Sequence, residues 1–205
     1  MIINDKRKFV FVCVPKTGST TLTKHFKNTD DIVGEKSWFK EQWHWSMSSI
    51  NEKYQERIKD YYKFAYHRNP WDRLISSWIE FTRDQGHLIT WSQPLKDQYN
   101  TFDEFVMDLP NSPWKDEIHF HPTAWYTHDD NDNKLVDHVA RYSNFSDETK
   151  QIFDRVGLNH RPLGTKRHRM SHKDPNHRKY YPDDKMIEIV AQHFKRDIDI
   201  FGDTF

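Results

Sequence analysis

Residues 15–21 read Pro-Lys-Thr-Gly-Ser-Thr-Thr. One mobile cation, one glycine and a run of hydroxyls stand where an apolar stretch stops. Lys16 brings a full positive charge, and Gly18 lets backbone approach a ligand closely. Thr17, Ser19, Thr20 and Thr21 bring hydroxyl groups. The chemistry this suits is anion binding, most of all if the loop opens a helix, because the first N–H groups of a helix lack intrahelical acceptors and carry partial positive charge. The lysine precedes the single glycine of the loop, so the Gly-x-x-x-x-Gly-Lys-Ser/Thr pattern of ATP-binding loops is absent. A second cluster lies at Tyr66-His67-Arg68-Asn69-Pro70-Trp71-Asp72-Arg73-Leu74-Ile75-Ser76. The Arg68 guanidinium is a side chain suited to phosphate, and Ser76 follows two helical turns later. Asp72, four residues before Ser76, is spaced to orient that serine, and Arg73 to pair with a neighbour. An amphipathic helix with solvated Arg and Asp has the same pattern.

The elements that must hold these residues are read from periodicity. Lys6–Val14, with Phe9, Val10, Phe11, Val12 and Val14 in one run, predicts a buried strand of the kind found inside parallel sheets. Leu22 to Phe26 starts a helix. A short strand is expected near Asp31 to Val33, and a charged helix over Ser48–Tyr61 with Ile50, Tyr54 and Ile58 in line. Lys63–Tyr66 reads as a strand, and Pro70 suits the first position of the helix after it, with Leu74, Ile75, Trp78 and Phe81 as its buried face. Further helices are expected over Thr101–Leu109, through Phe145, Ile152, Phe153 and Val156, and over Pro182–Asp199 with Met186, Val190, Phe194 and Ile198 in line. A strand is expected at Leu135–Val139. Strands alternating with helices predict an α/β domain with a central, mainly parallel sheet flanked by helices. Such sheets bind ligands in the crevice beyond the carboxyl ends of their strands, where both clusters fall.

Composition removes several classes. The chain has 205 residues with 31 Lys plus Arg against 31 Asp plus Glu, so the basic excess of a nucleic-acid binder is missing and no nucleic-acid partner is expected. It has a single cysteine, Cys13, which rules out an internal disulfide and thiolate zinc clusters. No stretch nears the ~20 apolar residues of a membrane span, and the apolar run of the first 15 residues is too short for a signal peptide. A reducing, cytoplasmic setting is the expectation. Of the 13 histidines, no His-x-x-x-His or His-Glu-x-x-His pair falls on a predicted helix, so packing and surface roles are expected for them and no metal site.

Taken together, VPKTGSTTL and YYKFAYHRNPWDRLISSW some fifty residues later resemble the sulfotransferases that use 3′-phosphoadenosine 5′-phosphosulfate (PAPS), closest to the carbohydrate sulfotransferase-like branch. TFDEFVMDLP, His121-Pro122, LVDHVARYSNF and YYPDDKMIEIVAQHFKRDIDIFG follow in that family's order, so the likeness runs from about Phe9 to Phe205. The resemblance implies one sulfotransferase domain over 1–205 with a fold like the P-loop NTPases. It implies Lys16 at the catalytic lysine, Thr17, Gly18, Ser19, Thr20 and Thr21 around the 5′-phosphate, and Arg68 with Ser76 on the 3′-phosphate. The product is 3′-phosphoadenosine 5′-phosphate (PAP), no metal is needed, and the acceptor is a small molecule or a glycan. The family's base is a Glu or His between the two stretches. Gln42-Trp43-His44-Trp45-Ser46-Met47-Ser48 resembles the His version, with Glu41 and Glu35 as rivals.

A loop before the last helix closes over the donor in that family, which makes Lys166, Arg167 and Ser171 candidates for a phosphate. Residues 160–179 hold seven Lys or Arg against one Asp, which equally suits an anionic acceptor or a solvated loop. Gly86–Asn100, with Trp91 and Tyr99, resembles an acceptor-side loop. Arg141-Tyr142-Ser143 departs from the family's Arg-Phe-Glu, and no role is carried over to it. Two other functions fit part of the pattern: an ATP- and Mg²⁺-dependent small-molecule kinase, and a non-catalytic binder of nucleotide or anionic glycan.

Overall fold

The computed structural model describes residues 1–27, 44–82, 93–159 and 176–205. In chain order these form β1 (Ile2–Asn4), β2 (Phe9–Phe11), α1 (Ser19–Lys27), α2 (Met47–Ile58), β3 (Tyr62–His67), α3 (Pro70–Thr82), α4 (Gln93–Gln98), α5 (Phe102–Asp108), α6 (Thr123–Thr127), β4 (His138–Arg141), α7 (Phe145–Val156), α8 (Asp184–His193) and α9 (Lys195–Phe201). They gather into two compact units. One comprises Met1–Arg68 with Thr123–His168, the other Asn69–Pro122 with Arg169–Phe205.

The first unit is α/β. Its sheet runs β1-β2-β3-β4. β2 and β3 are parallel, with Phe11 opposite Phe64, and so are β3 and β4, with Tyr66 opposite Ala140. β1 is antiparallel to β2. Phe9, Phe11, Phe64 and Tyr66 from the strands share one cluster with Leu22 and Phe26 of α1 and Ile152, Phe153 and Val156 of α7. Its Phe and Tyr rings are side chains that bury large areas. Phe11 stacks on Phe64 with centroids 5.2 Å apart, and Phe26 lies 5.8 Å from Phe153.

The predicted Lys6–Val14 strand is shorter, and a hairpin precedes it. Lys8 has φ +53°, and the Asn4 side chain accepts the Arg7 N–H at 2.9 Å, so the chain turns where a strand was expected and pairs Ile2–Asn4 back onto Phe9–Phe11. β4 begins three residues later than expected, where Asp137 N–H reaches the Lys63 carbonyl at 2.8 Å. The expected strand at Asp31–Val33 lies outside the described residues.

The second unit is helical. Trp71, Leu74, Ile75, Trp78 and Phe81 of α3 pack with Phe102, Phe105 and Val106 of α5 and with Met186, Val190 and Phe194, so the predicted face of α3 is the buried one. Thr101 and Glu104 form a capping box on α5, which satisfies two otherwise unpaired N–H groups reciprocally. The single helix expected over Pro182–Asp199 is broken at Phe194, with φ −101° and ψ +22°. Its apolar stripe survives the break, which is why periodicity alone ran through it.

Candidate active site

Past Phe11 the β2 backbone still pairs with β3, since Val12 N–H donates to the Phe64 carbonyl at 2.9 Å. The chain then tightens into a loop. Val14 N–H bonds the Val12 carbonyl at 3.0 Å, and the Thr17 hydroxyl donates to the Val14 carbonyl at 2.9 Å. Lys16 has φ +65° and Gly18 φ +87°. Left-handed residues on either side of Thr17 curl the backbone in the way that turns successive N–H groups toward one point. For a lysine this conformation costs on the order of 1 kcal/mol, and such strain clusters at ligand-binding loops.

Gly18 is required twice. Its φ is left-handed, and a Cβ there would lie 2.6 Å from the Phe145 ring and 3.3 Å from the Tyr142 ring. The Gly18 carbonyl accepts from Thr21 and Leu22 N–H and so launches α1 at Ser19. The loop therefore ends on the N-terminus of a nine-residue helix, as the sequence implied. Thr17 and Ser19 are buried, while Lys16, Thr20 and Thr21 are half-buried.

Arg68 leaves the end of β3 and is 5% exposed. Its Nη1 donates to the Lys16 carbonyl at 3.0 Å, and its guanidinium carbon stands 4.7 Å from the centroid of the Tyr142 ring. The Gly18 turn and this guanidinium thus share one side of the sheet, at the carboxyl ends of neighbouring parallel strands. Beside Arg68, His67 Nδ1 lies 3.0 Å from the Thr123 hydroxyl.

His44 joins the same edge. Its Nδ1 is 2.5 Å from the Cys13 carbonyl oxygen. A carbonyl only accepts, so Nδ1 carries a proton, and the neutral form of the ring has its lone pair on Nε2, as a general base needs. Ser46 then caps α2 by accepting Ser49 N–H at 3.2 Å, fixing the chain just after His44. The Cys13 thiol is fully buried, and burial pushes its pKa up, so the residue contributes its carbonyl rather than a thiolate nucleophile.

Ser76 belongs to the second unit, on α3, with its side chain fully buried. Arg73 overturns the amphipathic reading of that helix, being 1% exposed. Its Nη2 donates to the His121 carbonyl, and its guanidinium lies 5.1 Å over the Phe194 ring. The helix is buried nearly all round, so hydrophobic periodicity gave no notice of a buried cation. Nearby, His193 donates to the Phe120 carbonyl at 2.9 Å, and His119 sits 3.0 Å from the Glu117 carboxylate. The His119 hydrogen bond chiefly holds Glu117 below the usual carboxylate range, and burial lowers His121 and His193. Among the described residues no cluster of three or more His, Cys, Asp or Glu could hold a metal.

Tyr99 is not an exposed platform for an acceptor. Its ring is 7% exposed and its hydroxyl donates to Asp108 at 2.6 Å. Glu35, Glu41, Trp91, Lys166, Arg167 and Ser171 lie outside the described residues. The residue that sequence reasoning passed over is Tyr142. Its neighbour Ser143 stands where the resemblance puts a carboxylate, and Glu148 of α7 accepts the Arg141 N–H at 3.1 Å.

Residues 1–202 match the family model described as the sulfotransferase family. No curated protein and no solved structure matches the chain.

Proposed function

The chain belongs to the sulfotransferase family, and we propose that it moves a sulfuryl group from PAPS to a hydroxyl or amine of a small-molecule or carbohydrate acceptor. The observation that carries this reading is the Arg68 guanidinium hydrogen-bonded to the Lys16 carbonyl. It sets a cation suited to one phosphate directly against a strained loop and helix N-terminus suited to another. PAPS is a donor substrate with anionic groups at both the 3′ and 5′ positions of its ribose. ATP has no 3′-phosphate, and a site that leaves a buried cation unanswered disfavours it.

In the proposed reaction the acceptor oxygen or nitrogen attacks sulfur while the bond from sulfur to the bridging phosphate oxygen breaks, releasing PAP. Catalysis of such transfers rests on positioning and charge stabilisation. Lys16 and the N–H groups at the start of α1 stabilise negative charge growing on the bridging oxygen, a contribution worth about 10²–10³ in rate per donor. Thr17, Gly18, Ser19, Thr20 and Thr21 hold the 5′-phosphosulfate, and Arg68 with Ser76 holds the 3′-phosphate. Lys166, Arg167 and Ser171 are assigned as further phosphate-binding candidates for the donor. His44 takes the acceptor proton on Nε2, a role supported by the Nδ1 contact to Cys13. No metal has a part in the scheme. A reducing, cytoplasmic setting is part of the proposal. No helix among the described residues is long and apolar enough to cross a membrane.

Thermal shift with PAP and with ADP, each with and without Mg²⁺, tests the donor. A ligand at 100 times its Kd stabilises by about 2.7 kcal/mol. The expected result is a metal-independent shift for PAP that Arg68→Ala removes. Equal shifts for ADP, or a shift that needs Mg²⁺, would favour a kinase instead. Turnover of PAPS against a panel of sugars, lipids and phenols then identifies the acceptor.

A further inference from the structure

Tyr142 stands at the end of β4, on the first residue of the 3-10 turn Tyr142–Asn144 that leads into α7. Its ring does two things at once. One contact is with Arg68, whose guanidinium carbon is 4.7 Å from the ring centroid. The other is with the loop, since a ring carbon of Tyr142 lies 3.3 Å from where a Gly18 Cβ would be. Phe145, 5.6 Å from Tyr142 and 5.1 Å from Tyr66, packs behind it and ties the pair to the sheet.

An arginine loses rotamer freedom when it is ordered. Stacking on an aromatic face restricts the side chain through its π surface and uses none of its five N–H donors, which lie in the guanidinium plane. One donor, on Nη1, goes to the Lys16 carbonyl. Ring, guanidinium and carbonyl therefore form a chain from β4 through β3 to the loop after β2.

We propose that Tyr142 is a positioning residue that holds the Arg68 guanidinium against the Lys16 carbonyl, so that Arg68 is aimed at the ribose 3′-phosphate before the nucleotide arrives. The proposal rests on the donor reading above. It assigns the selectivity for a 3′-phosphorylated nucleotide partly to a ring that need not touch the nucleotide.

The test compares PAP with adenosine 5′-phosphate, which differs only by the 3′-phosphate, by calorimetric titration. Tyr142→Leu should weaken PAP by roughly two- to thirty-fold, the range of a cation–π contact from exposed to desolvated, and leave adenosine 5′-phosphate within about two-fold. Tyr142→Phe, which keeps the ring, should restore the PAP preference. In an Arg68→Ala background Tyr142→Leu should have no further effect on that preference, as coupled residues require. Equal weakening of both nucleotides, or failure of Tyr142→Phe to restore the preference, overturns the proposal. Should Tyr142→Leu fold poorly, the Phe variant and the Arg68→Ala background with Tyr142→Phe decide it, since a hydroxyl-dependent loss of PAP preference contradicts a role for the ring face. A wild-type protein that binds both nucleotides equally sinks the donor reading itself, a distinct outcome.

Discussion

Two arginines five residues apart have nearly the same surroundings by type. Arg68 and Arg73 are both buried. Each donates to a backbone carbonyl, of Lys16 and His121 respectively, and each lies against an aromatic ring, of Tyr142 and Phe194. What differs is the backbone each one grips. The Lys16 carbonyl belongs to a loop with two left-handed residues that ends on a helix N-terminus, a place where anions are stabilised. The His121 carbonyl belongs to a segment held by Ser77, His193 and Arg73 inside a helical core. In our proposal the same side chain is thus a binding group in one unit and a clamp in the other. Burial and stacking alone do not tell the two apart.

The largest effect expected on the Arg68 side is Lys16→Ala, which should lower turnover by about 10²–10³ while changing PAP affinity little. Steady-state and binding measurements on the variant check it, and an equal loss in both would make Lys16 a simple phosphate anchor. On the other side, Arg73→Ala should destabilise the protein by about 2–4 kcal/mol, through lost packing and a carbonyl left without its charged donor. Chemical denaturation reads this, with the PAP preference of the folded fraction unchanged. Arg68→Ala should do the reverse, losing PAP affinity with a smaller effect on stability. If the two variants behave alike, the contrast between the arginines is wrong.

Gly18→Ala sharpens the contrast from the loop side. It combines a left-handed φ with a 2.6 Å approach to the Phe145 ring, and should cost about 1–3 kcal/mol and lower PAP affinity. A stable variant with normal affinity would mean that the loop rearranges freely.

The smallest effect is in pH. Burial is the main cause of the lowered His121 and His193 pKa values, and the positive charge of Arg73 adds to it. A histidine with a lowered folded pKa binds fewer protons when folded, so its stabilising contribution is complete above the unfolded value near 6.5 and is lost as pH falls through the folded value. Melting temperature should therefore drop below about pH 6.5, and His193→Gln should flatten that slope. An unchanged slope would remove His193 from the account.

Much of the fold was legible because its signals are local. The run from Phe9 to Val14 marks a buried strand, and Pro70 marks a helix start, whatever surrounds them. The Gly18 loop was legible as the start of a helix because a glycine and a run of hydroxyls follow the apolar strand. Other features depend on partners distant in sequence. Nothing near His44 shows that its ring meets the Cys13 carbonyl, 31 residues earlier. Nothing near Tyr142 shows that it faces Arg68. Arg73 read as solvated because a charged residue in a helix usually is. Only Phe194 and the His121 carbonyl, both brought in by tertiary packing, show otherwise. The break at Phe194 escaped notice because the apolar stripe continues across it.

A crystal structure of the protein with PAP tests the central claim most directly. The expected result has the 5′-phosphate on the backbone N–H groups of residues 17–21 and the 3′-phosphate within hydrogen-bond distance of the Arg68 guanidinium. A nucleotide bound with its 3′-phosphate turned away from Arg68, or its 5′-phosphate away from the Gly18 turn, would contradict it.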